Sequence, residues 1–175
     1  MIAPQPKLVL TSTVLAVLMR VAGPVPTEVH PHALGHPEQQ VSLRLGDAVV
    51  YLTEPAVAAR VRQHWDAAQY LVAQRLPERV SQTWLAPRPG KYPVSVALRL
   101  TGPIEAHTQP ITGRPRTRTP AHLRIQIDQL VWQVCDQQAW RRIGDAWFQA
   151  QQYLDSRVRP SASSLPGSYS ERRPA

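Results

Sequence analysis

Cysteine occurs once in this chain, at Cys135, which excludes an internal disulfide and any zinc site built from several thiolates. Lysine is almost missing: of 20 basic residues only Lys7 and Lys91 are lysines, and the rest are arginines. There is no glycine-rich phosphate loop, no nucleophile elbow and no pair of carboxylates at a catalytic spacing, so no enzyme, cofactor or small-molecule substrate is expected. No apolar run is long enough to span a bilayer. The longest, residues 8–19 (LVLTSTVLAVLM), has 12 residues against the roughly 20 that a membrane helix needs.

Proline is abundant, at 18 residues, and many of these lie near the two ends. Hydrophobic residues make up 43% of the chain, as in an ordinary globular domain, so a compact middle with looser ends is expected. The net charge of +8 is unevenly spread. Residues 1–40 are neutral, residues 41–155 carry 14 basic and 9 acidic side chains, and residues 156–175 carry four arginines and one glutamate. Three of the 14 are Arg114, Arg116 and Arg118, in a single short segment. Most of the charge excess thus belongs to one loop and one tail.

Three regions follow. Residues 1–40 hold the apolar run and a Pro/His-rich linker (24–40), residues 41–155 form a single α+β domain, and residues 156–175 are expected to be a disordered basic tail. The apolar run, with Lys7 before it and Val21-Ala22-Gly23 after it, has the outline of an export signal. Arg20 in the cleavage region and Pro24 just beyond argue instead for a helix or strand packed on the domain, and for a cytoplasmic protein.

Within the domain one construction occurs twice. Residues 41–45, the turn Gly46-Asp47 and residues 48–53 read as a β-hairpin. Its facing pairs are Leu45 with Ala48, Leu43 with Val50, and Val41 with Leu52, all on one side of the pleat. At an offset of 82 residues, Leu123, Ile125, Ile127, Leu130, Trp132 and Val134 repeat the same apolar face around Asp128-Gln129. A slip of one residue in either strand would break that agreement. Each hairpin runs into a helix, with Thr53 and Asp136 as expected N-caps. Val57, Val61, Trp65, Ala68 and Leu71 form the buried stripe of the first helix, and Ala139, Ile143, Trp147, Ala150 and Leu154 that of the second.

The repeat is thus placed at 41–76 and 123–155. Residues 92–101 and 104–111 alternate as two further strands, separated by Gly102-Pro103. The expected fold is one antiparallel sheet of about six strands with two helices on one face, in the order ββα-ββ-ββα.

Two surfaces are candidates for binding. Residues 112–120 (TGRPRTRTP) link two strands, and Arg114, Arg116 and Arg118 at alternate positions can reach phosphates. Gly113-Arg114-Pro115-Arg116 resembles the centre of an AT-hook, with Thr112 where that family carries a basic residue. The resemblance implies that Arg114 enters a narrow A·T minor groove while the proline keeps the backbone extended. The second surface lies on the second helix, where Trp140, Gly144 and Phe148 form a stripe beside the core face. The matching first-helix positions include Ala58 and Asp66, expected to face solvent. The stripe therefore suggests a contact with a protein partner or a second copy of the chain, Gly144 allowing close approach.

His30, His32 and His36 lie close together, but in a proline-rich stretch with no preorganised carboxylate, so no metal is expected. Cys135 precedes a helix N-terminus, where a thiol can be activated, though nothing places a base beside it. The expected function is a small non-enzymatic binding or interaction protein that uses the second-helix surface to self-associate or to meet a protein partner. The alternative is a nucleic-acid-binding accessory protein, contacting DNA through the arginine loop and basic tail.

Overall fold

The computed structural model describes residues 16–80, 95–113 and 120–156. Their elements, in chain order, are strands β1 (Val17–Val21), β2 (Thr27–His32), β3 (Gln40–Leu45) and β4 (Ala48–Leu52), and helices α1 (Pro55–Ala67) and α2 (Gln69–Arg75). Strands β5 (Val96–Leu100), β6 (Ala106–Ile111), β7 (His122–Ile127) and β8 (Leu130–Val134) follow, and helix α3 (Gln137–Asp155) ends the order.

Both hairpins have the register that their apolar alternation dictates. Leu45 faces Ala48, Leu43 faces Val50 and Val41 faces Leu52 in β3–β4. Ile127 faces Leu130, Ile125 faces Trp132 and Leu123 faces Val134 in β7–β8. All twelve side chains are buried. Full burial of an aliphatic side chain is worth about 1.5–3 kcal/mol, so either register is costly to shift. The first turn position has positive φ in both copies, +65° at Gly46 and +52° at Asp128. A residue tolerant of left-handed backbone is needed there, and glycine and aspartate both meet that need.

The single six-stranded sheet is not what forms. There are two four-stranded sheets, sheet I in the order β2-β3-β4-β5 and sheet II in the order β1-β8-β7-β6. Each is mixed: β4 pairs β5 in parallel, and β8 pairs β1 in parallel. Strands β5 and β6, adjacent in sequence, do not pair. Gly102, with φ +72°, and Pro103 turn the chain from sheet I to sheet II. Gly23, with φ +67°, and Pro24 carry it the other way between β1 and β2. Proline cannot donate to a ladder, so each Gly-Pro turn breaks one sheet and starts the other.

Strands β1 and β2 lie where the sequence suggests an apolar run and a linker. Residues 17–19 of that run are strand, and Val21 and Ala22 are buried. Residues 8–15 lie outside the described residues.

The repeating unit is consequently larger than a hairpin and a helix. Residues 17–32 match 96–111 at an offset of 79, through Val17/Val96, Arg20/Arg99, Gly23/Gly102, Pro24/Pro103 and Pro31/Pro110. The offset becomes 82 from β3 onward because the loop between β6 and β7 is three residues longer than that between β2 and β3. Each half is therefore ββββα, and the halves exchange parts. The first strand of each half joins the other half's sheet. Helix α3 lies over β2 and β3 of sheet I, while α1 and α2 reach β6 and β7 of sheet II. The edge strands β2 and β6 carry Pro31 and Pro110 at matching positions, which blunts them against pairing with another chain.

The same equivalence holds at the helix N-termini. Gly23 N–H donates to Asp136 Oδ2 at 2.8 Å, and Gly102 N–H donates to Glu54 Oε1 at 3.3 Å. Asp136 caps α3 as expected, accepting from Ala139 N–H at 2.8 Å. The cap of α1 is Glu54 rather than Thr53, because Pro55 occupies the first helical position and has no N–H to satisfy.

The helix stripes are buried as the spacing requires, Leu71 only partly and with Val72 buried beside it. Trp65 and Trp147 are both fully enclosed, and Trp65 meets Trp132 edge-on with ring centroids 6.0 Å apart. Ala58, expected at the surface, is buried, because α1 packs against α3 on that side. Asp66 is exposed as expected.

Candidate functional site

Alternation along a strand puts one set of side chains into the core and the other on the outer face. On sheet II the outer set forms rows across the strands. One row is Arg20, Gln133, Arg124 and Gln109, and its neighbour is Leu18, Val131, Gln126 and His107. Arg20, Arg124, His107 and Gln109 are exposed. Arg20 Nε donates to Gln133 Oε1 at 2.7 Å, which steadies one guanidinium on the face. Arg124 makes no ion pair among the described residues. With strands about 4.8 Å apart, the two arginines stand about 10 Å from each other across the sheet, close enough to act on one anion chain.

No aspartate or glutamate belongs to either row. The corresponding face of sheet I is different. There Glu28 Oε1 holds Arg44 Nη1 at 3.4 Å, and Glu28 Oε2 lies 3.3 Å from His30 Nε2. Its arginine is thus paired with a carboxylate, whereas the two rows of sheet II hold arginines and no carboxylate.

The arginine loop connects β6, the edge strand of sheet II, to β7. Arg114, Arg116 and Arg118 themselves lie outside the described residues.

The second-helix stripe is brought together, but chiefly for internal use. Trp65 Nε1 donates to the Trp140 carbonyl at 3.1 Å, and Trp140 Nε1 to the Trp65 carbonyl at 3.4 Å. A Cβ on Gly144 would stand 3.2 Å from Cδ1 and Nε1 of Trp65. The close approach that Gly144 allows is therefore that of α1 within the same chain. Phe148 remains 40% exposed, with the Arg62 guanidinium 4.2 Å from its ring centroid, a cation–π contact.

The remaining chemical candidates are placed as follows. Cys135 is buried, and burial pushes its thiol up to about 12. Arg20 pulls the other way, with smaller effect. Such a thiol is inert at neutral pH. His30 and His32 lie on β2, His30 against Glu28 and His32 Nε2 2.9 Å from Ser42 Oγ. Among the described residues no three His, Cys, Asp or Glu side chains are placed to hold a metal ion. No helix of the described residues is long and apolar enough to cross a membrane.

Sequence reasoning missed Arg20 as a surface residue, because it flanks what reads as a signal or buried run. The signal that finds it is the match of Arg20-x-x-Gly23-Pro24 with Arg99-x-x-Gly102-Pro103, which makes both segments strands ending in the same turn. No protein-family model matches the chain, and no curated protein and no solved structure is significantly similar to it.

Proposed function

We propose that this chain is a non-enzymatic binding protein whose ligand is nucleic acid, held by its phosphates on the outer face of sheet II. The observation that supports this is the pair Arg20 and Arg124, set across Gln133 on a face whose rows carry no carboxylate. The segment with Arg114, Arg116 and Arg118 connects β6 to β7 of this sheet, and we propose its three guanidiniums as further phosphate contacts. Arginine suits the role because its planar fork binds phosphate oxygens in pairs. Backbone contacts of this kind position a protein without reading sequence. Self-association through α3 is the weaker reading, since Trp140 and Gly144 are already engaged by Trp65.

Binding of the full chain to a labelled DNA duplex, measured by fluorescence anisotropy across a range of salt concentrations, tests the proposal. Each phosphate contact contributes about 0.9 to the slope of log K against log salt. Replacing Arg20 and Arg124 together with glutamine should therefore flatten the slope by about 2, and replacing the three loop arginines by up to about 3. Arg44→Gln with Arg99→Gln, on sheet I, should leave it nearly unchanged. No measurable binding, or a slope indifferent to Arg20 and Arg124, would exclude this face as the site.

A further inference from the structure

The outer face of sheet II is selective about the form of nucleic acid it can take. Its two rows, from Arg20 to Gln109 and from Leu18 to His107, hold no Phe, Tyr or Trp. Single strands are held largely by bases stacking on such rings, so this face suits a duplex. The major groove of duplex RNA is too deep and narrow for side chains to read, which leaves duplex DNA. Width then decides which part of the sheet can enter. Four strands spaced by roughly 4.8 Å span about 14 Å before side chains are counted, whereas the major groove of DNA is about 12 Å wide. The whole face cannot enter, but the edge strand β6 can.

Gln109 is the side chain that β6 presents there. It is exposed, and it lies directly across from Arg124, which is also exposed. Neither side chain makes a hydrogen bond or ion pair among the described residues. The equivalent pair on sheet I is His30 and Ser42, and it is already engaged. His30 Nε2 lies 3.3 Å from Glu28 Oε2, and Ser42 Oγ lies 2.9 Å from His32 Nε2. The carboxylates nearest to β6 and β7, Glu105 and Asp128, stand together at the other end of these strands, joined by a 2.7 Å bond from Asp128 N–H to the Glu105 carbonyl. Gln109 therefore sits beside a cation and away from the acids.

We infer that β6 lies in the major groove of duplex DNA and that Gln109 reads an adenine there. Its amide oxygen accepts from the adenine N6 amino group while its NH2 donates to N7, the paired contact that a glutamine makes with this base. The inference rests on the phosphate-binding reading above and adds a sequence preference to it. Arg20 and Arg124 hold phosphates, and Gln109 selects the base. An uncharged amide releases no counterions, so its contribution falls on preference and not on salt dependence.

Selection by the full chain from a pool of DNA duplexes with a randomised centre tests this. One position should be enriched in adenine. Replacing that adenine with 7-deazaadenine, which lacks the N7 acceptor, should weaken binding about fivefold or more. Gln109→Ala, a change at an exposed site, should lose both the enrichment and the sensitivity to 7-deazaadenine, with an unchanged slope of log K against log salt. Binding with no enriched position would overturn the inference and leave the phosphate reading standing. An adenine preference that survives in Gln109→Ala, or that ignores 7-deazaadenine, would overturn it too. Absence of binding to any duplex would end both.

Discussion

Asp136 is the strongest single tie between the halves. Its carboxylate is fully buried and accepts from Ala139 N–H in its own helix, from Gly23 N–H in the first Gly-Pro turn, and from Val80 N–H after α2. A hydrogen bond to a charged group contributes about 1.5–3 kcal/mol, and a buried donor left without a partner costs about 1–3 kcal/mol. Since the three bonds share one side chain they do not add fully, and Asp136→Ala should cost about 3–5 kcal/mol.

Asp136→Asn keeps one acceptor for Ala139 but turns an NH2 toward Gly23 and Val80, and should cost about 2–4 kcal/mol. The equivalent residue Glu54 is exposed, and among the described residues its carboxylate accepts one bond, from Gly102 at 3.3 Å, so Glu54→Gln should change stability by no more than about 0.5 kcal/mol. Urea unfolding followed by tryptophan fluorescence measures both, the shift lying in the midpoint with an unchanged m value. Equal midpoints for Asp136→Asn and Glu54→Gln would refute the view that this carboxylate joins three segments.

Other outcomes follow from particular contacts. Gly144→Leu forces a side chain into Trp65 and should destabilise by about 1–3 kcal/mol in thermal or urea melts; a neutral result would mean that α1 and α3 are not packed closely there. Cys135 should resist an aromatic disulfide reagent at pH 8 in the native protein and react at once in urea, since burial pushes its thiol up to about 12; rapid reaction under native conditions would contradict its burial. His64, whose Nε2 lies 3.1 Å from Thr108 Oγ1, has its pKa lowered below 6.5 chiefly by burial, with Arg60 acting the same way and a backbone bond to His107 opposing. As pH falls past 6.5 the unfolded chain takes up the proton first, so stability present above that pH is lost down to the lowered native value. A proton NMR titration of the His64 ring with a midpoint at or above 6.5 would reverse that sign.

What was legible in the sequence was local. Period-two alternation fixed both hairpin registers, because one slipped residue would expose six apolar side chains. The 3.6-residue spacing located Trp65 and Trp147 in the core. Partnering between distant strands was not legible by the same means. Nothing in the alternation of β4 indicates that its second neighbour is β5, joined in parallel, and a short apolar strand such as β1 resembles the core of an export signal in composition. The repeat of Gly-Pro turns at a spacing of 79 carried the missing information, but an offset held at 82 throughout conceals it. The asymmetry that marked Trp140, Gly144 and Phe148 was real. Its meaning changed once α1 proved to lie against α3, since the partner that fills the space beside Gly144 is Trp65. Arg124 was legible as outward-facing, whereas its companion Arg20 became visible only with β1 paired to β8.

Amide chemical shifts of the isotope-labelled full chain, followed by NMR as a short DNA duplex is added at low salt, test the central functional claim most directly. Perturbations should concentrate on the strand residues around Arg20, Arg124, Gln133 and Gln109 and on the β6–β7 loop. Perturbations confined to Arg44, Tyr51 and Arg99 of sheet I, or to the helices, would contradict it, as would a spectrum unchanged by DNA.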